Sequence, residues 1–291
     1  MRKEMISGFA DEICDNFIEQ LETLNELGIQ YICLRAIDGK SIVKFTEEDA
    51  KNYILPTLNK YGIKVSSLGS PIGKIDVDDE EALARQLSEL ETLCKIANVL
   101  DCKFIRLFSF WMPKGEDPEK YRDVVLAKMS KFIEICDKYG VIAMHENEKD
   151  IYGDTGARCK VIHDAFKNTS LRAAYDFANF IQCGEDTMEC YELLKEYVDY
   201  IHIKDACYAT KEVVLFGTGD GKVREVLSKF KAAGYDGFLT MEPHLRLFSS
   251  LANLEADDST MEQLKASAFS DGKSAYTAQY KALCGVLEEI A

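Results

Sequence analysis

Four residues carry the chemistry this sequence offers: Glu146 closing VIAMHE, Asp176 closing RAAYD, His202 within YIHIK, and Glu242 closing FLTME. Each ends or nearly ends a short apolar run. Side chains alternate along a strand, so Met144 and Glu146 share a face, as do Ala174 and Asp176, Tyr200 and His202, and Thr240 and Glu242. If those faces point the same way, three carboxylates and an imidazole converge. Carboxylates held together repel and raise one another's pKa unless a cation sits among them, and a divalent metal ion is the economical cation. Oxygen donors with one imidazole suit Mn²⁺ first, with Mg²⁺, Co²⁺ and Zn²⁺ as alternatives. Taken singly, each residue is an ordinary polar strand cap paired with a lysine or arginine. Their recurrence on consecutive strands favours the shared ion.

The elements that must position them repeat one phrase: apolar run, polar turn, helical stretch, stop. Strands are expected at 6–10, 30–35, 64–68, 104–108, 141–146, 172–177, 200–204 and 238–242. Helices follow at 15–27, 46–61, 80–100, 118–139, 157–166, 187–197, 222–233 and 276–290. Gly28, Gly62, Gly140 and Gly234 fall just past helix ends, where a left-handed cap is wanted. Strict alternation implies a parallel sheet, and eight units closing on themselves make a (β/α)₈ TIM barrel of the α/β class. No linker-like composition interrupts the series, so residues 1–291 read as one domain. A long segment after the eighth strand, at about 245–273, has the length of a lid, an interface arm or a partly helical insertion.

The formal charge of −15 argues against nucleic acid and anionic membranes as partners. No run approaches the roughly 20 apolar residues of a membrane span, and the start lacks a signal peptide's pattern, so a cytoplasmic location is expected. Ten cysteines without a CxxC pair read as free, mostly buried thiols.

Other residues near the strand ends are candidates for substrate contact. Arg106 in FIRLF and Arg35 in CLRAI are unusual charges for barrel strands, suited to contacting substrate or supporting the ligands, or else to a structural ion pair. Trp111 could stack on a ring of the substrate or anchor its loop. Lys204 and Asp205 could orient substrate, fix the His202 tautomer or form a strand-end salt bridge. His244 follows the eighth strand within reach of substrate. His145 alternates away from the site and reads as a packing group, and His163 lies within a helix. Gly217, Gly219 and Gly221 could cradle an anion or merely turn the chain.

MHENE, AAYDFANF, IHIKD and FLTMEPH together resemble the strand motifs of the sugar-phosphate isomerase/epimerase superfamily, the xylose-isomerase-like barrels. The likeness covers nearly the whole chain. It implies that Glu146, Asp176, His202 and Glu242 bind one metal, with Glu146 and Glu242 also moving the substrate proton. It implies a keto- or aldo-sugar or cyclitol substrate, reacting through an enediolate. Return of the proton to the opposite face gives an epimer, return to the adjacent carbon gives an isomer, and loss of a β-substituent makes the enzyme a lyase.

The chain departs from the ketose 3-epimerase pattern at three positions. Asn179 stands where a histidine is usual, Tyr152 where a glutamate is, and Tyr208 where an arginine is. The departures turn attention to inosose or keto-glycoside substrates, and Asn179 joins the candidates for substrate binding. The superfamily also holds apurinic-site endonucleases, whose three-zinc site needs many histidines; four histidines and an acidic chain disfavour that activity. A barrel that has lost catalysis, or a homo-oligomer assembled through 245–273, would also accommodate the pattern.

Overall fold

In the computed structural model, residues 1–249 and 268–291 are described. Most of the expected 245–273 segment therefore lies outside the described residues. The eight parallel strands are β1 (Ile6–Gly8), β2 (Tyr31–Leu34), β3 (Lys64–Leu68), β4 (Phe104–Leu107), β5 (Ile142–Glu146), β6 (Arg172–Asp176), β7 (Val198–Ile203) and β8 (Phe238–Met241). Each pairs with its sequence neighbours, and β8 pairs with β1. A bridge from Phe9 to Cys33 joins β1 to β2 and closes the ring.

The helices between them are α1 (Phe17–Glu26), α2 (Leu55–Tyr61), α3 (Glu80–Val99), α4 (Arg122–Tyr139), α5 (Gly156–Ala165), α6 (Thr187–Leu194) and α7 (Val223–Ala232), and α8 (Gly272–Glu289) follows β8. Side-chain caps start α1, α3, α5 and α6, at Asn16, Asp79, Thr155 and Asp186. Gly62 and Gly140 end α2 and α4 at φ 68°, a conformation that costs a residue with a Cβ. A short helix, Phe177–Gln182, was not expected; it begins directly at the end of β6, with Asp176 as its N-cap.

The main core lies between the strands and the surrounding helices, where Leu90, Ile105, Met129, Phe132, Ile201 and Val226 are fully buried. Inside the barrel, Met144, Ala174 and Tyr200 form a separate apolar layer with Phe104 and Phe238 packed against it. This layer floors the site. No disulfide joins any of the cysteines, whose Cys33, Cys94, Cys102, Cys136, Cys159 and Cys190 thiols are buried. Among the described residues no helix is long and apolar enough to cross a membrane.

Candidate metal centre

The period of two along each strand carries the chain from the apolar layer to a charged one in a single step. Two residues beyond Phe104, Met144, Ala174 and Tyr200 stand Arg106, Glu146, Asp176 and His202, and Glu242 follows β8 two residues beyond Thr240. All are buried. Asp176 is level with His202 across β6 and β7, and His202 with Thr240 across β7 and β8. Glu146 lies level with Ala174, one step lower, and its longer side chain makes up the difference. The stagger explains why the two outer acids are glutamates and the middle one an aspartate.

The structure brings all four together, with one donor atom from each within 4.8 Å of the others. His202 Nδ1 lies 2.8 Å from Glu146 Oε1, 3.5 Å from Glu242 Oε2 and 3.7 Å from Asp176 Oδ2. Donors bound at about 2.1 Å to one ion lie at most about 4.2 Å apart, so the group is within a small contraction of a coordination shell. Asp176 divides its work. Its Oδ1 accepts the Asn179 N–H at 2.8 Å, while its buried Oδ2 turns to the cluster, with Lys204 Nζ at 3.2 Å. An oxygen in that state, among other acids, fits a metal ligand.

Fixed cations surround the group. Arg106 Nη1 reaches Glu146 Oε2 at 3.0 Å and Glu242 Oε1 at 3.3 Å. Arg35 binds Asp11, Glu12 and Glu242 at 2.8, 3.1 and 3.0 Å. Lys204 Nζ lies 3.2 Å from both Asp176 Oδ2 and Glu242 Oε2. These pairs set Asp11, Glu12, Glu146, Asp176 and Glu242 against Arg35, Arg106 and Lys204, which leaves two negative charges over. A divalent cation has the charge that balances them. Water is excluded here, so the excess is costly without such a cation.

The proton equilibria respond to the same imbalance. Burial drives the Glu12 carboxyl up to about 8 against the opposing pull of Arg35. Burial works against the charged form of His202, but the Glu146 carboxylate and hydrogen bonds to Asp176 and Glu242 overturn it and raise the imidazole well above its ordinary value. Burial would also raise Glu146, yet His202 and Arg106 hold it below the usual carboxylate range. With no metal ion, protons on Glu12 and His202 take up the missing positive charge.

The remaining candidates divide into those at the cluster and those away from it. Asn179 Nδ2 lies 3.4 Å from Glu146 Oε1 and 2.8 Å from the Asn147 carbonyl, bracing the glutamate. His244 has its backbone N–H on Glu12 Oε2 at 2.7 Å and its Nε2 3.6 Å from Glu242 Oε1. Glu12, Glu242 and His244 form a second convergent group, but Arg35 already spans Glu12 and Glu242.

Asp205 turns the other way. Its carboxylate accepts the N–H groups of Gly217, Gly219 and Gly221, each at 3.0 Å, and of Ala206 at 2.9 Å. The glycine turn does cradle an anion, and the anion is this chain's own aspartate. A Cβ at Gly219 or Gly221 would come within 2.6 Å of Asp205 Oδ1, so both glycines are required by that embrace. Asp205 thereby holds the loop after β7, rather than reaching substrate.

Trp111 stands on the rim after β4, half-buried. Tyr152 is buried beneath the rim, and Tyr208 donates to the Glu185 carbonyl at 2.7 Å. His145 points outward to α5, edge-on to His163, with Nε2 3.0 Å from Ser109 Oγ. Sequence reasoning passed over Asp11, Glu12, Asn147, Lys74 and Glu148. The first pair stood in plain sight, in FADE just past β1, at the same strand-end position as the ligands.

With fold and site described, the family follows: residues 19–266 match the xylose isomerase-like TIM barrel model, and the chain belongs to that family. No curated protein sequence matches it. Among solved structures it is similar to a xylose isomerase domain protein from Alicyclobacillus acidocaldarius, at 17% identity and TM-score 0.72, with 99% of each chain covered. It is also similar to the IOLI protein with a bound zinc atom, at 14% identity and TM-score 0.75, with 99% of each chain covered. A third is the 3-keto-D-glucoside 4-epimerase YcjR from E. coli, at 14% identity and TM-score 0.70, covering 98% of this chain and 100% of that one. At such identities the likeness is one of fold.

Proposed function

We propose that the protein is a metal-dependent isomerase or epimerase of keto- or aldo-sugars or cyclitols. The observation that carries this reading is the buried convergence of Glu146, Asp176, His202 and Glu242 at the C-terminal ends of the last four strands. Those residues would hold one divalent ion. When bound, the ion would polarise a carbonyl and its neighbouring hydroxyl, making the adjacent C–H more acidic. Mn²⁺ suits the donor set first; the zinc bound by the IOLI protein shows that this fold accepts another metal.

The proton transfers belong to the chain's own carboxylates. Glu146 and Glu242 stand on opposite sides of the group, on β5 and after β8, each with two oxygens. One oxygen of each can serve the ion and the other can take or return a proton on its own face of the substrate. Removal by one glutamate and return by the other gives an epimer; return to the neighbouring carbon gives an aldose–ketose isomer. Arg106 touches both glutamates; His202 and Arg106 favour the ionised form of Glu146, and Lys204, His244 and His202 that of Glu242. Lys204 bridges Asp176 and Glu242, and its Nζ stands near the oxygens a substrate would approach.

The test is solvent deuterium incorporation next to the carbonyl, screened over keto-sugars, inososes and 3-keto-glycosides with the metal-loaded protein. A responding substrate is expected, and Glu146→Gln or Glu242→Gln should each lower its exchange by about 10² to 10⁴ with the fold intact. Full exchange in both variants would remove the proposal.

A further inference from the structure

On the same face as the four-residue site, a cavity of about 590 Å³ opens between the loops that follow β3, β4 and β5. Asp76 and Asp78 line one side, Lys149 and Asp150 the other, and Trp111 stands between them. Trp111 is the only tryptophan in the chain.

The tryptophan is held unusually firmly for a loop residue. Its backbone bridges Asp76 in parallel and Ile151 in antiparallel fashion, making a small three-stranded floor from three different loops. Its N–H donates to the Ile75 carbonyl at 2.9 Å and its carbonyl accepts from Val77 at 3.1 Å. The next residue, Met112, donates to the Asp150 carbonyl at 2.9 Å.

The residue before it, Phe110, sits at φ +67°, a left-handed backbone state unfavourable for a bulky side chain. The surroundings hold it there, with its ring buried and stacked on Phe132 at 5.5 Å. Strain of this kind fixes the direction in which the chain leaves Phe110, and so where Trp111 stands.

The loop after β5 runs from the four-residue site to the cavity, since Lys149 and Asp150 follow Glu146 by three and four residues. Lys74 and Glu148 are ion-paired at 3.1 Å and stand one or two residues before Asp76 and before Lys149 and Asp150. A substrate held at the quartet and extending along that loop would reach the cavity.

An indole face beside several carboxylates is the chemistry that recognises a sugar ring. The apolar C–H face stacks on the aromatic ring, while hydroxyls donate to the acids. We infer that the cavity at Trp111 is a subsite for a second ring, so that the substrate is a glycoside or comparable two-ring sugar, with its reacting ring at the quartet and its other ring over Trp111. This rests on the proposed sugar chemistry of the quartet and narrows its substrate class.

The lone tryptophan supplies its own probe. A keto-disaccharide oxidised on one ring is titrated into the metal-loaded protein beside the keto-monosaccharide carrying the same oxidised ring, following Trp111 emission and, independently, heat. The disaccharide should shift the emission saturably and bind about tenfold or more tighter than the monosaccharide, a difference of about 1.4 kcal/mol. By calorimetry, Trp111→Ala should bring the disaccharide down to the monosaccharide's affinity, and Trp111→Phe should keep most of the preference, with metal content unchanged in both.

Equal affinity for the two sugars, a disaccharide preference untouched by Trp111→Ala, or metal-loaded protein that binds neither would overturn the subsite. Metal content and deuterium exchange are read on the same preparations. Failure of the subsite with metal and exchange intact is thus distinct from failure of the catalytic reading, in which metal or exchange itself is missing.

Discussion

Two layers inside the same barrel, one strand step apart, solve the burial of polar groups in opposite ways. In the lower layer Tyr200 bonds Ser66 Oγ at 2.9 Å and Ser67 Oγ at 2.8 Å, and Ser66 passes a hydrogen bond on to the Ile32 carbonyl at 3.1 Å. Every group in that chain is neutral, and apolar side chains surround it. In the upper layer charge replaces neutrality: acids outnumber fixed cations, and His202 Nε2 is buried without a hydrogen bond. A closed neutral network stabilises a fold, whereas an open charged one is retained for something it binds.

Asp205 sharpens the contrast, since it lies only three residues past His202 yet behaves like the lower layer. Its backbone donors satisfy it fully. Burial alone is therefore no guide to function here; the guide is whether the buried acid has its partners within the chain.

The comparison can be broken by removing an acid from each setting. The largest effect should come from Asp176→Asn. The amide oxygen can still cap Phe177–Gln182, so the cap survives while the charge on the cluster is lost. Metal affinity should fall by at least about 100-fold, as calorimetric titration with Mn²⁺ would read. The metal-free variant should stay within about 1 kcal/mol of the parent, because a repelling charge has been removed. A strongly destabilised metal-free variant would mean that the upper layer is closed after all.

Asp205→Ala should do the reverse. It strips partners from the glycine turn and should cost about 3 kcal/mol in urea unfolding, with metal content unchanged. Saturating metal should raise the stability of the parent by about 2.7 kcal/mol at a hundredfold excess over its dissociation constant, reversed by chelation. The smallest effect belongs to Tyr200→Phe, which removes one hydroxyl from the lower network. A loss of about 1 kcal/mol is expected, with no change in metal affinity.

Much of this contrast could be seen in the sequence, and the reason is the period of two. VIAMHE, RAAYD and FLTME are mostly apolar and carry no acid before their last residue, so an acid closing the run stands out, and alternation puts it above the apolar layer. Arg35 and Arg106 stood out for the same reason and join the ligands. Strand boundaries shifted by a residue or two: β7 starts at Val198, earlier than expected, because Val198 already pairs with Ala173 across a bulge.

The helix at Phe177–Gln182 was missed because FANFIQ looks like a strand continuing past Asp176, and only the capping role of that aspartate ends it. Glu12 and Asp11 were missed because β1 is short and the chain turns at once into a helical turn, without the long apolar run that marked the others. The fate of Asp205 depended on a contact with glycines 12 to 16 residues away, which no local pattern encodes.

The central claim is that Glu146, Asp176, His202 and Glu242 share one cation, and diffraction from crystals grown with Mn²⁺, collected for its anomalous signal, tests it most directly. The account predicts one strong peak among the four side chains, at about 2.0 to 2.3 Å from each donor atom. A saturated solution of the metal that leaves no peak there, or places it against other residues while the four keep their ion pairs with Arg106 and Lys204, would contradict it.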